Sequence, residues 1–147
     1  KWLDAQDLSG KTVIDYGFGS GILGIAALLL GAKHVIAVDN DPQALLASRD
    51  NALRNNVADE RLQTFLPEEL PHTLTADVVV ANILAAPLIQ LAPKLCAVTR
   101  PCGLLCLAGL LDNQIDAVIT PYISDFTFFT PIIESEWAQL SARKTDL

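Results

Sequence analysis

The sequence contains no methionine, two histidines, three cysteines and only 6% aromatic residues. Each shortage removes a class of chemistry. His34 and His72 lie far apart and neither sits beside a motif, so no Ser-His-Asp or Cys-His nucleophile system stands out. Cys96, Cys102 and Cys106 are odd in number, and Cys106 falls inside an apolar strand pattern. They read as free, mostly buried thiols in a reducing cytosol, and no metal site is expected. A chain that starts at Lys1 and lacks methionine altogether reads as a piece of a longer protein. Positive charge is also scarce: 10 Lys and Arg against 17 Asp and Glu give a net charge of −7. Such a surface disfavours direct contact with nucleic acid or anionic membrane and suits a basic partner. The longest strongly apolar run, Ile22 to Ala32, is about half of what a bilayer span needs. No basic N-terminal stretch precedes an apolar signal, so nothing points to export and a cytoplasmic protein is expected.

What is present is apolar and regularly punctuated. Hydrophobic residues make up 51% and charged residues 18%, which excludes disorder. A chain of 147 residues fits a single domain with a real core. Strands are expected at Thr12 to Tyr16, His34 to Val38, Leu62 to Phe65, Asp77 to Ala81 and Leu104 to Ala108. Helices are expected at Ile22 to Leu30, Pro42 to Asn55, Pro87 to Val98 and Asp112 to Tyr122. Asp41-Pro42 is a helix start, a capping carboxylate followed by proline at the first helical position. Asn55-Asn56 is a left-handed stop, and Arg100-Pro101-Cys102-Gly103 a turn. Phe126 to Ile133 and Trp137 to Ala142, joined by a short polar link, predict a closing hairpin. Five strands alternating with helices imply a doubly wound, mostly parallel sheet, with an antiparallel strand from the hairpin. A ligand then belongs at the carboxyl ends of the first, second and fourth strands.

The first of those ends is rich in glycine. Residues 15–21 read Asp-Tyr-Gly-Phe-Gly-Ser-Gly, with Gly17, Gly19 and Gly21 letting a ligand lie against bare backbone. Two ligands compete for it. Gly19-Ser20-Gly21-Ile22-Leu23-Gly24 satisfies the dinucleotide pattern, with Asp39 twenty residues after Gly19 as a ribose-binding acid. The same glycines satisfy an Asp-x-Gly-x-Gly-x-Gly pattern that begins at Asp15. A pyrophosphate here would meet the Asp15 carboxylate in a partly dry site, where like charges cost several kcal/mol. S-adenosylmethionine offers an ammonium and a sulfonium instead. Charge therefore favours the methyl donor, and Asp39 keeps its ribose role in either case.

On the acceptor side, Asn82 closes the fourth strand, which in this arrangement neighbours the first. Methyl transfer to an amine is an in-line displacement, so alignment is what the protein must supply. A neutral amide oxygen can accept an N–H bond and aim the amine's lone pair, whereas a carboxylate would hold the amine as ammonium. Ile83 and Leu84 are expected to line an apolar mouth that lowers a lysine's pKa by desolvation. A nicotinamide-binding module, a small-molecule or nucleic-acid N-methyltransferase and a non-catalytic scaffold stay open as alternatives.

Residues Val13 to Gly24, Ala37 to Ala44 and Asp77 to Ala85 together resemble the class I S-adenosylmethionine-dependent methyltransferases. More narrowly they resemble the bacterial family that methylates the eleventh protein of the large ribosomal subunit, and the likeness runs to Glu134-Ser135-Glu136-Trp137. Ala81-Asn82-Ile83-Leu84-Ala85 is the segment that narrows it. The resemblance implies a Rossmann-like seven-stranded sheet, donor contacts at Gly17, Asp39 and Asn82, and methylation of lysine ε-amino groups and an N-terminal α-amino group. Phe18 stands where relatives usually carry Cys. The family's substrate-recruiting N-terminal domain and a donor-contacting Thr just upstream are absent, so residues 1–147 look like the catalytic domain alone.

Overall fold

Runs such as Val13-Ile14, Val35-Ile36 and Val78-Val79-Val80 combine β-branching with unbroken hydrophobicity, the composition of strands covered on both faces. In the computed structural model, which describes residues 8–17, 31–56 and 61–146, each run is a strand. The chain groups into two compact units, Lys1–Leu74 and Thr75–Leu147.

The first unit holds β1 (Thr12–Gly17), β2 (His34–Asp39) and β3 (Leu62–Phe65), all parallel. β1 and β2 pair residue for residue from Thr12↔His34 to Gly17↔Asp39, and every position after the first in each is buried. β3 pairs with β2 from Val35↔Leu62 to Val38↔Phe65. Both β1 and β2 run one residue beyond the expected ends, which carries Gly17 and Asp39 into the sheet. Leu8 anchors the lead-in, 1% exposed, and Ser9 bridges Ala32. The expected helix at Ile22 to Leu30 lies outside the described residues. Helix α1 (Pro42–Arg54) opens as its residues dictate: Asp41 accepts the Gln43 N–H at 3.0 Å, and Pro42 occupies the first turn. It buries Ala44, Ser48 and Ala52, a ridge of small residues four apart that lets the helix approach closely. Asn56 supplies the left-handed stop with φ 57°.

The second unit holds β4 (Ala76–Asn82), β5 (Thr99–Leu111), β6 (Phe126–Phe128), β7 (Ile132–Glu134) and β8 (Trp137–Lys144). β4 and β5 are parallel, ending at Asn82↔Ala108, and β8 runs antiparallel along β5. β5 is longer than expected. The predicted turn at 100–103 is a bulge inside it, between Ala76↔Thr99 and Val78↔Leu104, with Cys102 at φ 65°. β6 and β7 both pair with β8, with a one-residue slip between Phe128↔Ala142 and Ile132↔Gln139. They act as one strand interrupted at Phe129-Thr130-Pro131, where proline removes a ladder donor. Counted that way, the described residues give three strand positions in the first unit and four in the second, which fits the expected seven, mostly parallel with an antiparallel C-terminal hairpin.

The helices of this unit are more broken than the sequence pattern predicts. Pro87 to Val98 becomes α2 (Ala85–Gln90) and α3 (Ala92–Val98), because Pro93 has no N–H to return to the Ile89 carbonyl. Asp112 to Tyr122 contains only α4 (Ile115–Ile119), flanked by 3₁₀ turns, the second carrying Pro121. Tyr122, 1% exposed, donates to the Leu88 carbonyl at 2.6 Å and meets Phe126 and Phe128 edge-on. Among the described residues no helix is long and apolar enough to cross a membrane, and no cluster of His, Cys, Asp or Glu is placed to hold a metal.

The three cysteines are free, but only Cys106 is buried; Cys102 is exposed on the bulge and Cys96 is half-buried. The expectation of mostly buried thiols is corrected by that bulge, which turns Cys102 outward. Burial pushes the Cys106 thiol up to about 12 from 9.0. A thiol that ionises near 9 when unfolded but near 12 when folded favours the unfolded chain as pH rises through that window. Stability should therefore fall by up to about 1.4 kcal/mol per pH unit from this group alone. Alkaline denaturation curves for wild type and Cys106→Ala, compared as differences from their neutral-pH values, should diverge between pH 9 and 12. Parallel curves would remove Cys106 as the cause.

Candidate functional site

Directly paired residues of parallel strands point to the same face, as do residues two apart on one strand. Asp15 pairs with Ala37 and Gly17 with Asp39, so Asp15 and Asp39 share one face of the first unit's sheet. They are 5% and 3% exposed. One strand spacing and two residues of rise separate their Cα atoms by roughly 8 Å. The other two corners of that square are Ala37 and Gly17, the smallest side chains available. Ile14, Tyr16, Ile36 and Val38 take the opposite face and belong to the core. Burial, with Glu68 contributing second, pushes the Tyr16 phenol up and keeps it neutral.

The Asp39 carboxylate is oriented by the chain that follows it. Its Oδ1 accepts the Asp41 N–H at 2.9 Å, and Asp41 Oδ1 in turn accepts the Gln43 N–H at 3.0 Å. Two successive side-chain-closed turns thus lead from β2 into α1 and fix both carboxylates by backbone donors. Asp41 takes the helix cap, so the simplest structural role for Asp39 is already filled. Asp39 instead sits buried, held by its own turn. Gly19 and Gly21 lie outside the described residues, as does Phe18. A groove of about 500 Å³ lies in this unit between α1 and β3, lined by Arg49, Leu53, Leu62 and Phe65 among others. None of the predicted site residues lines it.

Asn82 belongs to the second unit, at the carboxyl end of β4, with its side chain exposed. The segment after it is tied to β5 by the Ile83 N–H, which donates to the Ala108 carbonyl at 3.1 Å. Of the two residues expected at an apolar mouth, Leu84 is 68% exposed, whereas Ile83 is 6% exposed and turned into the core. Beside Asn82 and Ile83 stands Gly109, with φ +92°. Sequence reasoning passed over it because strand five was ended at Ala108. The available signal was an isolated glycine inside the apolar run Leu104 to Leu111.

Parallel strands alternating with helices, followed by antiparallel C-terminal strands, make a Rossmann-like α/β fold. A solved structure of a ribosomal protein L11 methylase from Lactobacillus delbrueckii subsp. bulgaricus superposes with a TM-score of 0.86 at 31% identity, covering 97% of this chain and 74% of that one. The family profile described as ribosomal protein L11 methyltransferase (PrmA) matches residues 1–145, and the chain belongs to that family. Proteins named ribosomal protein L11 methyltransferase from Marinobacter nauticus and Vibrio parahaemolyticus are each 56% identical, over 99% and 98% of this chain. The match takes in 49% and 48% of those proteins, so the chain spans about half the length of the curated relatives it matches.

The two carboxylates generate a stability prediction. Asp41→Ala removes a helix cap and should cost about 1 kcal/mol. Asp39→Asn keeps an acceptor for the Asp41 N–H and removes one of two neighbouring buried charges. Its stability should match or exceed wild type in urea denaturation. A loss larger than that of Asp41→Ala would make Asp39 a structural residue.

Proposed function

We propose that this chain is the catalytic domain of an S-adenosylmethionine-dependent methyltransferase that methylates amino groups of ribosomal protein L11, both lysine ε-amino groups and the N-terminal α-amino group. The observation that carries the reading is the pair of buried carboxylates on one face, Asp39 at the end of β2 and Asp15 two residues before the end of β1. Asp39, oriented by the Asp41 N–H, suits the two hydroxyls of a ribose. Asp15 favours a ligand that brings positive charge and disfavours a pyrophosphate. Gly17, paired with Asp39, offers bare backbone for the same ligand. The residues present therefore fit S-adenosylmethionine, whose sulfonium makes its methyl group transferable.

In this reading Asn82 serves both donor and acceptor, and its catalytic part is to accept an N–H bond from the incoming amine. Its oxygen is uncharged, so it orients the amine without stabilising the ammonium form, which has no lone pair. Leu84, exposed beside it, supplies apolar surface that favours the neutral amine. A ribosomal protein is a basic partner for a chain of net charge −7, which adds weak, unselective attraction. A cytoplasmic location follows from that substrate.

Calorimetric titration should show micromolar binding of S-adenosylmethionine and of S-adenosylhomocysteine, and none of NAD. Tight NAD binding would support the nicotinamide reading instead. Asp39→Ala should weaken donor binding by about 1.5–3 kcal/mol, the scale of hydrogen bonds to a charged group. Asn82→Ala should lower kcat more than it weakens donor binding, because alignment matters most in the transition state. Wild-type turnover in that variant would leave Asn82 a turn residue. One lysine side chain offers too little contact for selective association once lost rotational and translational freedom is counted. Residues 1–147 alone should therefore bind donor, yet methylate L11 at least ~100-fold less efficiently in kcat/KM than the longer enzyme, with the difference mainly in KM. Equal values would show that this domain selects its substrate unaided.

A further inference from the structure

Gly109 lies where β5 passes the end of β4. Its φ of +92° is a conformation that L side chains rarely adopt. It also falls at a bulge: the β5–β8 register slips between Ala108↔Gln139 and Leu110↔Ala138, leaving Gly109 without a partner on β8. On the other side of the strand the fit is tight. A Cβ at position 109 would overlap the Ile83 carbonyl oxygen, lie 2.9 Å from that carbonyl's carbon, and stand 3.1 Å from Asn82 Oδ1. The Asn82 carboxamide oxygen thus rests against space that only glycine leaves empty. Meanwhile Asn82↔Ala108 is the last β4–β5 pair, and the Ile83 N–H donates to the Ala108 carbonyl. Backbone pairing secures Asn82 and Ile83 on one side of Gly109, and close contact limits them on the other.

We propose that Gly109 is a positioning residue for Asn82: the absence of a side chain there sets the direction in which the Asn82 carboxamide oxygen points. The inference rests on the proposed amine-aligning role of Asn82. A methyl group at 109 must push first against the Ile83 backbone and also crowds Asn82 Oδ1, so the Ile83 peptide and the Asn82 oxygen are both displaced. An aligning group displaced by even a fraction of an ångström loses much of its effect, because in-line transfer depends steeply on geometry.

The test is a double-mutant cycle in the full-length enzyme, with kcat for L11 and donor affinity measured in each variant. Gly109→Ala should lower kcat on the order of 100-fold, while donor affinity changes no more than in Asn82→Ala. In the Asn82→Ala background the same substitution should change kcat less than about twofold, since the group it misdirects is gone. Losses that multiply across the two sites would overturn the proposal, as would near wild-type kcat in Gly109→Ala. Gly109→Asn is the second variant. Asn tolerates positive φ but still carries a Cβ, so it should fold more readily and lose kcat to a similar degree. Recovery of kcat in Gly109→Asn would assign the effect to backbone strain and overturn the steric role. Failure of both variants to fold would make Gly109 a requirement of the fold and equally overturn the assignment. Absence of methylation by the wild type would instead contradict the function proposed above, which separates the two failures.

Discussion

Asp15 and Asp39 are buried on one face of two adjacent parallel strands, with only Ala37 and Gly17 completing the square between them. Their Cα atoms stand roughly 8 Å apart, close enough for two carboxylates to act on one ligand. Two buried carboxylates carry a desolvation cost that apolar residues at these positions would not. The local structure accommodates it. β1 and β2 each run one residue past the end expected from sequence, which brings Gly17 opposite Asp39, and the turn into α1 supplies a backbone N–H to one oxygen of Asp39. α1 then packs through Ala44, Ser48 and Ala52, side chains small enough to let it lie close. Each feature leaves negative charge at a strand end, facing whatever binds there.

The second unit meets a different constraint. Here the group at the strand end is neutral, exposed and attached to a short segment that must hold still. Asn82 is followed by Ile83, whose side chain enters the core while its N–H bonds to β5. Leu84 then turns outward and α2 begins at Ala85 without a side-chain cap. Direction at Asn82 therefore depends on the backbone of β5 rather than on any side chain, and Gly109 is the position at which that dependence is tightest.

Much of this was legible in the sequence for identifiable reasons. Strands covered on both faces are read directly from runs such as Asp77 to Ala81, and the Asp41-Pro42 start needs no tertiary information, since cap and proline act within one turn. Asp39 and Asn82 could be singled out from sequence because each follows an apolar run that reads as a strand, and the structure places each at its strand's carboxyl end. The misses share a cause of their own. Pro93 and Pro121 sit inside apolar periodic segments, so periodicity predicted continuous helices where backbone donors are missing. The bulge at Arg100 to Gly103 was read as a turn before a strand because its register against β4 is set by tertiary pairing. Ile83 is expected beside Leu84 at an apolar mouth, but its backbone is tied to Ala108 and its side chain is buried. For Gly109 the sequence offers only an isolated glycine in an apolar run; the reason for it, the Ile83 carbonyl, is a tertiary contact that no local pattern encodes.

Selection of the donor by charge is the central claim, and Asp15 is where it is most exposed to test. Asp15→Asn leaves size and hydrogen-bonding shape nearly unchanged and removes one negative charge. Dissociation constants for S-adenosylmethionine and NAD should be measured on wild type and variant at fixed, low salt. The account predicts weaker S-adenosylmethionine binding and measurable NAD binding, with the preference between them falling at least about tenfold, or about 1.4 kcal/mol. An unchanged preference in a folded variant would contradict it, and would leave the glycine loop or the ribose contact at Asp39 to account for selectivity.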